Sequence, residues 1–520
     1  MDNKVTADDY SLLERALSLS SMRAQTLESL SAGLGETVED ASLYWFAANK
    51  LRRSQGRYLP TPYDAPLDER GEQQCPSDSW YSQTWRLGRL LERFQINEAL
   101  AVPYADILTD PEGGHYELNL AASEVVLAVC FENVSLDKQR MKRVCVHACE
   151  PTNGIELLVS NAGKILLSVE DYRDKPITAA FIEGLYARLV EGISIKEVSE
   201  VEEHDANTVE DLRKKALDSF CCCLWPREGG AAELGFDGAD CRHLGDCGNH
   251  SLVNALIALH YFKTFRLFPA GNNVLAYLLY FLILHREGYH FSAHVPVFKL
   301  LYACDEAGDP RAGLPCDPDE LAVECGGYRD LTRFFEQAVE AIVDEQRWTM
   351  TKLDGMSRRR ERFRIIIDSD ETMNFRQKEV LLEAILHSNA EFTYGIHEQR
   401  YDVSYPCARS DFARLLDMGF LRQHDDGIRH FFVAADGFGQ TFLEYLKNHC
   451  SPAFYRYYNE DGSLRSEYRS AEAASHAFNR DIGFYEKSLL DKTYIEHHDF
   501  RRAPIADCDG PRRRSCLGDG

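Results

Sequence analysis

The chain is organised around a short loop that joins two long apolar runs, Arg266-Leu267-Phe268-Pro269-Ala270-Gly271-Asn272-Asn273-Val274. The runs at 255–265 and 275–285 have the length and composition of buried helices. Gly271-Asn272 in the loop can turn backbone N–H groups toward an anion at the start of the second helix. The sequence therefore predicts two core helices joined by an anion-binding turn.

The loop resembles the signature of the Fic (Fido) family, which reads His-Pro-Phe-x-Asp/Glu-Gly-Asn-Gly/Lys-Arg and has a second Arg after two more residues. Phe268, Gly271 and Asn272 match that signature. Other signature positions carry different residues: Arg266 at the His, Ala270 at the acidic residue, Asn273 at the following Gly, and Val274 and Tyr277 at the two arginines. The loop thus resembles a Fic active-site loop without its reactive groups.

Two upstream segments extend the resemblance. Residues 176–192 resemble the family helix that begins Pro-Ile-Thr, with Tyr186 where His is usual. The order and spacing of the blocks agree over about residues 118 to 289. Because Fic proteins form an all-helical domain, the resemblance implies a mainly α fold with a Fic-like helical domain.

The other upstream segment, residues 124–133, resembles the inhibitory helix of the family. Glu132 and Asn133 match that helix, whereas Ala128 and Val129 replace its two serines. The family's inhibitory Glu pairs with the second Arg of the signature, which is absent here. The resemblance therefore implies an inhibitory-helix position for Glu132 without a charge for it to engage.

Fic proteins typically transfer AMP from ATP to a target hydroxyl, with a His as general base and an acidic residue that holds Mg²⁺. Arg266 cannot accept that proton, because guanidinium stays protonated and has no acceptor lone pair. Ala270 offers no side-chain oxygen to a hard cation. Val274 and Tyr277 cannot neutralise phosphates as guanidinium groups do. The resemblance therefore implies a degenerate Fic protein, a pseudoenzyme that acts in regulation or binding.

Nucleotide binding without transfer stays open, because Arg266 could itself face a phosphate and the Gly-Asn turn remains. ATP and Mg²⁺ would be the cofactors if the activity survives. The nucleotide-binding positions that the resemblance implies are Phe268, Gly271, Asn272 and Asn273.

Three other hypotheses remain. A divergent adenylyltransferase could move AMP to a protein hydroxyl with displaced residues such as His260 or Glu132, although the helical phase of His260 favours a core or helix-surface histidine over a base. A DNA-binding transcriptional regulator could use the Fic scaffold as a nucleotide sensor. The loop could also be an ordinary turn in a helical domain of unrelated descent.

Composition limits the class of protein. The length of 520 residues predicts two to four domains. The net charge of −25 argues against a nucleic-acid or membrane-surface role for the whole protein, although local basic patches could still bind a polyanion. The polar N-terminus does not resemble a signal peptide, and the apolar run 274–284 is too short to span a bilayer. We expect a cytoplasmic protein with no membrane contact, a protein target or partner, and a homodimer as an open alternative. The 16 cysteines imply no disulfide framework.

Periodicity and composition predict five regions, with a small β-hairpin inside the second. The hairpin is expected from two short apolar runs, 155–159 and 164–169, joined by Asn161-Ala162-Gly163. The regions are an N-terminal helical region at 1–100, the Fic-like core at 101–350, a winged helix-turn-helix at 365–437, a C-terminal helical extension at 438–500 and a disordered tail at 501–520.

The module within 374–434 resembles a winged helix-turn-helix, a common companion of Fic domains. Its second helix, predicted from Ser404 to Met418, would enter a DNA major groove, and two apolar strands after it would form the wing. Candidate DNA contacts are Tyr405, Arg409 and Arg414, whereas the nearby acidic residues weaken the DNA hypothesis: Asp411, Asp425 and Asp426.

A Gly- and Cys-rich loop at 221–250 precedes the first core helix. It contains weak candidates for a zinc site, although their spacing matches no standard finger. His250 could instead cap the helix that follows. The candidate ligands are Cys241, His243, Cys247 and His250.

Overall fold

The structure is a computed structural model. It describes residues 7–60, 79–109, 116–131, 137–147, 149–194, 206–224, 249–302, 318–386, 390–425, 430–466 and 468. Within these ranges the chain is mainly helical, so the predicted fold class is confirmed. The chain divides into two compact units, residues 1–304 with 314–350, and residues 305–313 with 351–520.

The first unit contains most of the helices. In chain order they are α1 (Ala7–Met22), α2 (Leu27–Leu34), α3 (Val38–Gln55), α4 (Trp85–Thr109), α5 (Tyr116–Cys130), α6 (Lys138–Cys145), α7 (Gly154–Leu167), a 3-10 turn (Val169–Tyr172), α8 (Ala179–Leu189), α9 (Ala206–Leu224), α10 (Ser251–Phe265), α11 (Asn272–Arg286), α12 (His290–Ala293), α13 (Val297–Tyr302) and α14 (Pro318–Leu321). The long helix α15 (Thr332–Asp368) begins in this unit and continues into the second.

Helices α10 and α11 are the two core helices that the sequence predicts. Residues 252–262 of α10 and 272–285 of α11 are buried without interruption. A helix that is apolar on every face must lie inside other elements, and side chains from α4 to α8 surround this pair in one hydrophobic core. The loop between the two helices is thus fixed at both ends by the centre of the unit.

The predicted hairpin at 155–169 is wrong, because the segment forms helix α7 instead. Asn153 caps this helix by accepting a hydrogen bond from the Glu156 N–H at 2.9 Å. Gly163 lies mid-helix, where a Cβ atom would stand 1.9 Å from the carbonyl oxygen of Cys145. The glycine is therefore explained by close packing of α7 on α6, not by a turn.

A small sheet that the sequence did not predict joins distant parts of the first unit. Its strands are β1 (Arg57–Tyr58), β2 (Ser79–Tyr81), β3 (Val323–Cys325) and β4 (Tyr328–Asp330), in the order β1-β2-β4-β3. Arg52, at the end of α3, is buried against it and donates to Asp330 at 2.9 Å, Ser82 at 2.7 Å and Thr332 at 3.1 Å. This polar network connects the N-terminal helices to the start of α15.

The second unit has its own hydrophobic core. Antiparallel strands pair from Leu421↔Ala434 to Asp425↔His430, where the wing was predicted. The elements after α15 are α16 (Phe375–Leu386), α17 (Tyr394–Tyr401), α18 (Tyr405–Asp417), β5 (Leu421–Asp425), β6 (His430–Ala434), α19 (Phe438–His449) and α20 (Ser451–Tyr457). The predicted tail at 501–520 lies outside the described residues.

Candidate functional site

The loop between α10 and α11 begins and ends in left-handed backbone. Arg266 closes α10 with φ 44° and ψ 57°, and its side chain is exposed. Gly271 precedes α11 with φ 70° and ψ 18°. Residues that have a Cβ atom adopt this backbone conformation only at an energetic cost. The chain therefore turns out of one core helix at Arg266 and into the next at Gly271.

Two asparagine side chains hold the loop closed. The Asn272 side chain accepts from the Phe268 N–H at 2.9 Å and donates to the Phe268 carbonyl at 2.6 Å. The Asn273 amide donates to the carbonyl of Ala128 in α5 at 3.3 Å. Asn272 and Asn273 are only 5% and 3% exposed. Both side chains therefore hold the loop in place and do not face solvent.

Phe268 anchors the middle of the loop. Its ring stacks on Tyr186 of α8, with centroids 4.0 Å apart and planes 24° apart, and the Arg213 guanidinium carbon lies 5.4 Å from its centroid. Tyr186 lies at the position where the corresponding helix of the Fic family has His. In this chain its ring is the stacking partner of Phe268. Arg213 is a half-buried cation beside the loop that no sequence motif indicated, because it lies more than 50 residues upstream in α9.

Gly271 packs against apolar side chains. A Cβ atom there would lie 3.2 Å from Leu158 of α7 and 3.6 Å from Leu189 of α8, so these leucines line one side of the turn. The start of α11 is buried together with the turn. The turn is therefore packed against apolar side chains at its Gly271 end.

Tyr277, at the second arginine position of the signature, is fully buried. Within the part of the chain that the structure describes, its hydroxyl has no hydrogen-bond partner. Burial raises the pKa of Tyr277 well above its usual value, and the nearby Glu124 carboxylate adds to that effect. The hydroxyl therefore stays protonated and cannot replace an arginine as a phosphate ligand.

Glu124 is a buried carboxyl group on α5 that no sequence motif indicated. Its Oε2 accepts from the Phe298 N–H at 2.5 Å, while Oε1 has no hydrogen-bond partner among the described residues. Burial raises the pKa of Glu124 to about 8. A lone acidic residue in an apolar helical run was the available sequence signal. Glu132 and Asn133, the predicted inhibitory positions, lie outside the described residues.

His260, the candidate displaced base, is a core histidine. It is 7% exposed, its Nδ1 lies 3.1 Å from the Thr264 hydroxyl, and its ring lies 5.9 Å from that of Phe334. The structure thus places His260 among aromatic side chains inside the helical unit.

The proposed zinc ligands Cys241, His243 and Cys247 lie outside the described residues. His250 is described and caps α10, because its Nδ1 accepts from the Leu252 N–H at 3.2 Å. Across the described ranges, no group of three or more His, Cys, Asp or Glu side chains is arranged to hold a metal ion. None of the described helices is long and apolar enough to cross a membrane. Among the described residues, Cys145, Cys325, Cys407 and Cys450 form no disulfide bond.

Helix α18, in the second unit, carries the three residues predicted to contact DNA. Tyr405 is 50% exposed, Arg409 is exposed and Arg414 is half-buried. Asp411 is turned inward, where its carboxylate accepts from Arg376 at 2.6 Å and lies 3.1 Å from Nε2 of His397. Asp411 therefore contributes no acidic charge to the exposed face of the helix.

Comparisons with known proteins gave matches among solved structures. The chain matches no protein-family model and no curated protein. Among solved structures it is similar to a crystal structure of a Fic family protein from Desulfovibrio desulfuricans G20. The sequence identity is 14%, the TM-score is 0.34, and the match covers 68% of this chain and 97% of that chain.

Proposed function

We propose that this chain is a Fic-like pseudoenzyme, a regulatory or binding protein whose active-site loop has become a packing element. The proposal rests on the sequence resemblance of the loop together with the hydrogen bonds that close it. Asn272 holds the Phe268 backbone, and Asn273 holds α5. A transferase needs those groups, or the turn beside them, to face a bound nucleotide.

Among the described residues, the side chains of the loop and of α11 do not supply the missing chemistry. The exposed Arg266 has no acceptor lone pair for a target hydroxyl proton, and a positioned general base contributes about 100- to 10,000-fold in rate. Ala270 has no oxygen for Mg²⁺, and the buried Tyr277 brings no positive charge to a phosphate. AMP transfer through this loop would therefore lack its base, its metal ligand and the two arginines of the signature together.

Calorimetric titration of ATP into the full chain, with and without Mg²⁺, tests the proposal. We expect no Mg²⁺-dependent gain in ATP affinity and no transfer of labelled AMP to the chain or to an added protein acceptor. The variant Asn272→Ala, which opens the loop, serves as the matched control for any signal that arises there. ATP binding that Mg²⁺ strengthens and that Asn272→Ala removes would contradict the proposal.

A second candidate function is DNA binding by the second unit, which we propose to be a winged helix-turn-helix. The specific support is the exposed face of α18, which carries Tyr405 and Arg409, with Asp411 buried in an ion pair. Duplex affinity should then fall with salt, and Arg409→Ala with Arg414→Ala should reduce the log–log salt slope by about 2.

The matched control for this test is Lys447→Ala with Arg456→Ala, which removes two charges from α19 and α20 of the same unit. The control should leave both the duplex affinity and its salt slope unchanged. Duplex binding that is insensitive to salt, or that responds equally to both pairs of substitutions, would exclude α18 as the DNA-contacting helix.

A further inference from the structure

A cavity of about 570 Å³ lies between the second half of α7 and the end of α8. This volume falls within the range of roughly 300 to 1,000 Å³ that small-molecule sites occupy. Its polar lining consists of Asn161, Lys164, Ser168, Tyr172, Arg188 and Glu191. None of the loop residues between α10 and α11 lines this cavity, so it is separate from the candidate site described above.

Two cationic side chains at this cavity are bound only to neutral groups. The Lys164 ammonium donates to the Asn161 side-chain oxygen at 3.3 Å. The Arg188 guanidinium donates to the Tyr172 hydroxyl at 2.5 Å. Within the described ranges neither cation forms an ion pair with a carboxylate. In a chain of net charge −25, two such cations at one concave surface are an attractive site for an anion.

The floor of the cavity is held in place from both helices. Asn161 is 5% exposed, and its amide donates to the carbonyls of Leu189 at 3.2 Å and Glu191 at 2.9 Å, where α8 ends. Tyr172 is also buried, with its ring 6.0 Å from that of Phe181. The groups that position Lys164 and Arg188 are therefore fixed before any ligand arrives, which lowers the entropic cost of binding.

We propose that this cavity binds a small phosphate monoester that carries hydroxyl groups. A phosphate monoester has a charge of about −1.5 to −2 near neutral pH, as phosphorylated side chains do. Two cations balance this charge more closely than they balance the single charge of a carboxylate. Arg188 uses one of its five N–H donors on Tyr172, so a planar pair of donors remains for phosphate oxygens.

Glu191 accounts for the expected preference for a ligand that carries hydroxyl groups and only one phosphate. Its carboxylate also lines the cavity and forms no ion pair with either cation. It can accept hydrogen bonds from sugar-like hydroxyl groups, and it repels additional phosphate groups. The site therefore fits a monophosphate with a polar body.

Isothermal titration calorimetry of the full chain at constant ionic strength tests the site with three probes: ribose 5-phosphate, ribose and citrate. We expect ribose 5-phosphate to bind saturably at one site. Lys164→Ala with Arg188→Ala should weaken that binding at least tenfold. Ala187→Trp, at an exposed cavity position, should abolish it while both charges remain.

Arg93→Ala with Lys214→Ala, which removes two exposed cations outside the cavity, should bind ribose 5-phosphate as the wild-type chain does. Circular dichroism melting of each variant should match the wild-type chain. Absence of saturable ribose 5-phosphate binding, or unchanged affinity in the Lys164 and Arg188 variant, would overturn the site. Equal or tighter binding of citrate or ribose would overturn the assignment to phosphate monoesters.

Discussion

Substitution of Gly163 by Ala tests whether residues 154–167 form a helix packed closely on α6. A Cβ atom at this position would lie 1.9 Å from the Cys145 carbonyl oxygen, which is a backbone atom. Since that oxygen cannot rotate away, α6 and α7 would have to separate by about 1 Å, and overpacking of this kind costs about 1–3 kcal/mol. The intrinsic preference of a helix for Ala over Gly offsets about 1 kcal/mol of that cost.

Gly184 provides the matched control in the neighbouring helix α8. It is exposed, and a Cβ atom there would meet no atom within 4 Å. Gly184→Ala should therefore stabilise the chain by up to about 1 kcal/mol through helix propensity alone. Opposite signs are thus expected for the same chemical change at two glycines about 20 residues apart.

Urea unfolding followed by far-ultraviolet circular dichroism measures both changes. Gly163→Ala should lower the midpoint and Gly184→Ala should raise it, with the slope of the free energy against urea unchanged. If Gly163 were the turn of a hairpin on the surface, its substitution would not push two helices apart. Equal, small effects of the two substitutions would therefore refute the helical packing of α7 on α6.

Two further predictions concern buried polar groups. Glu124→Gln should stabilise the chain relative to the wild type as pH rises, because burial raises the pKa of Glu124 to about 8 and the wild-type contribution, complete below about 4.5, is lost as pH rises through 8. Urea titrations from pH 5 to 9 should show the gap widening by on the order of 4 kcal/mol, and a constant gap would show that Glu124 titrates normally. Arg52→Met should cost about 3–5 kcal/mol, because it leaves the Asp330 carboxylate buried without its cation. The double variant Arg52→Met with Asp330→Asn should recover part of that loss in the same assay, and no recovery would show that the pair does not act together.

The sequence predicted the parts of the fold that depend on continuous local pattern. Apolar runs of about 11 residues gave α10 and α11, and Ser404 followed by an early Pro gave the start of α18. In each case one short stretch contained the whole signal. The structure extends α10 back to Ser251 and starts α11 at Asn272, directly at the end of the loop.

The errors and omissions arose where a distant contact decides the structure. Asn161-Ala162-Gly163 has the composition of a turn, but Gly163 is required by the backbone of Cys145, which no local pattern reveals. Strands β1 to β4 have only two or three residues each, and β2 pairs with β4 about 250 residues away. Such strands are too short to show an alternating pattern.

The candidate loop depends on both local sequence pattern and distant contacts. Its residues were selected from the sequence, but the Asn273 bond to Ala128 and the stacking of Phe268 on Tyr186 depend on tertiary structure. The family resemblance assigned these positions to a nucleotide. In the structure the same side chains contact the protein.

If the chain is a Fic-like pseudoenzyme, as proposed, introducing one residue of the Fic signature at a time should not produce AMP transfer. Arg266→His would add a base at an exposed position, while Asn272 and Asn273 remained bound to the backbone inside the unit. An arginine at position 277 would be buried in the region where Glu124 already acts electrostatically on Tyr277. Since a charge left unpaired in the interior is costly, that arginine would pair internally with Glu124 and would not be available to a phosphate. The packing that replaced the reactive groups therefore opposes their return, one residue at a time.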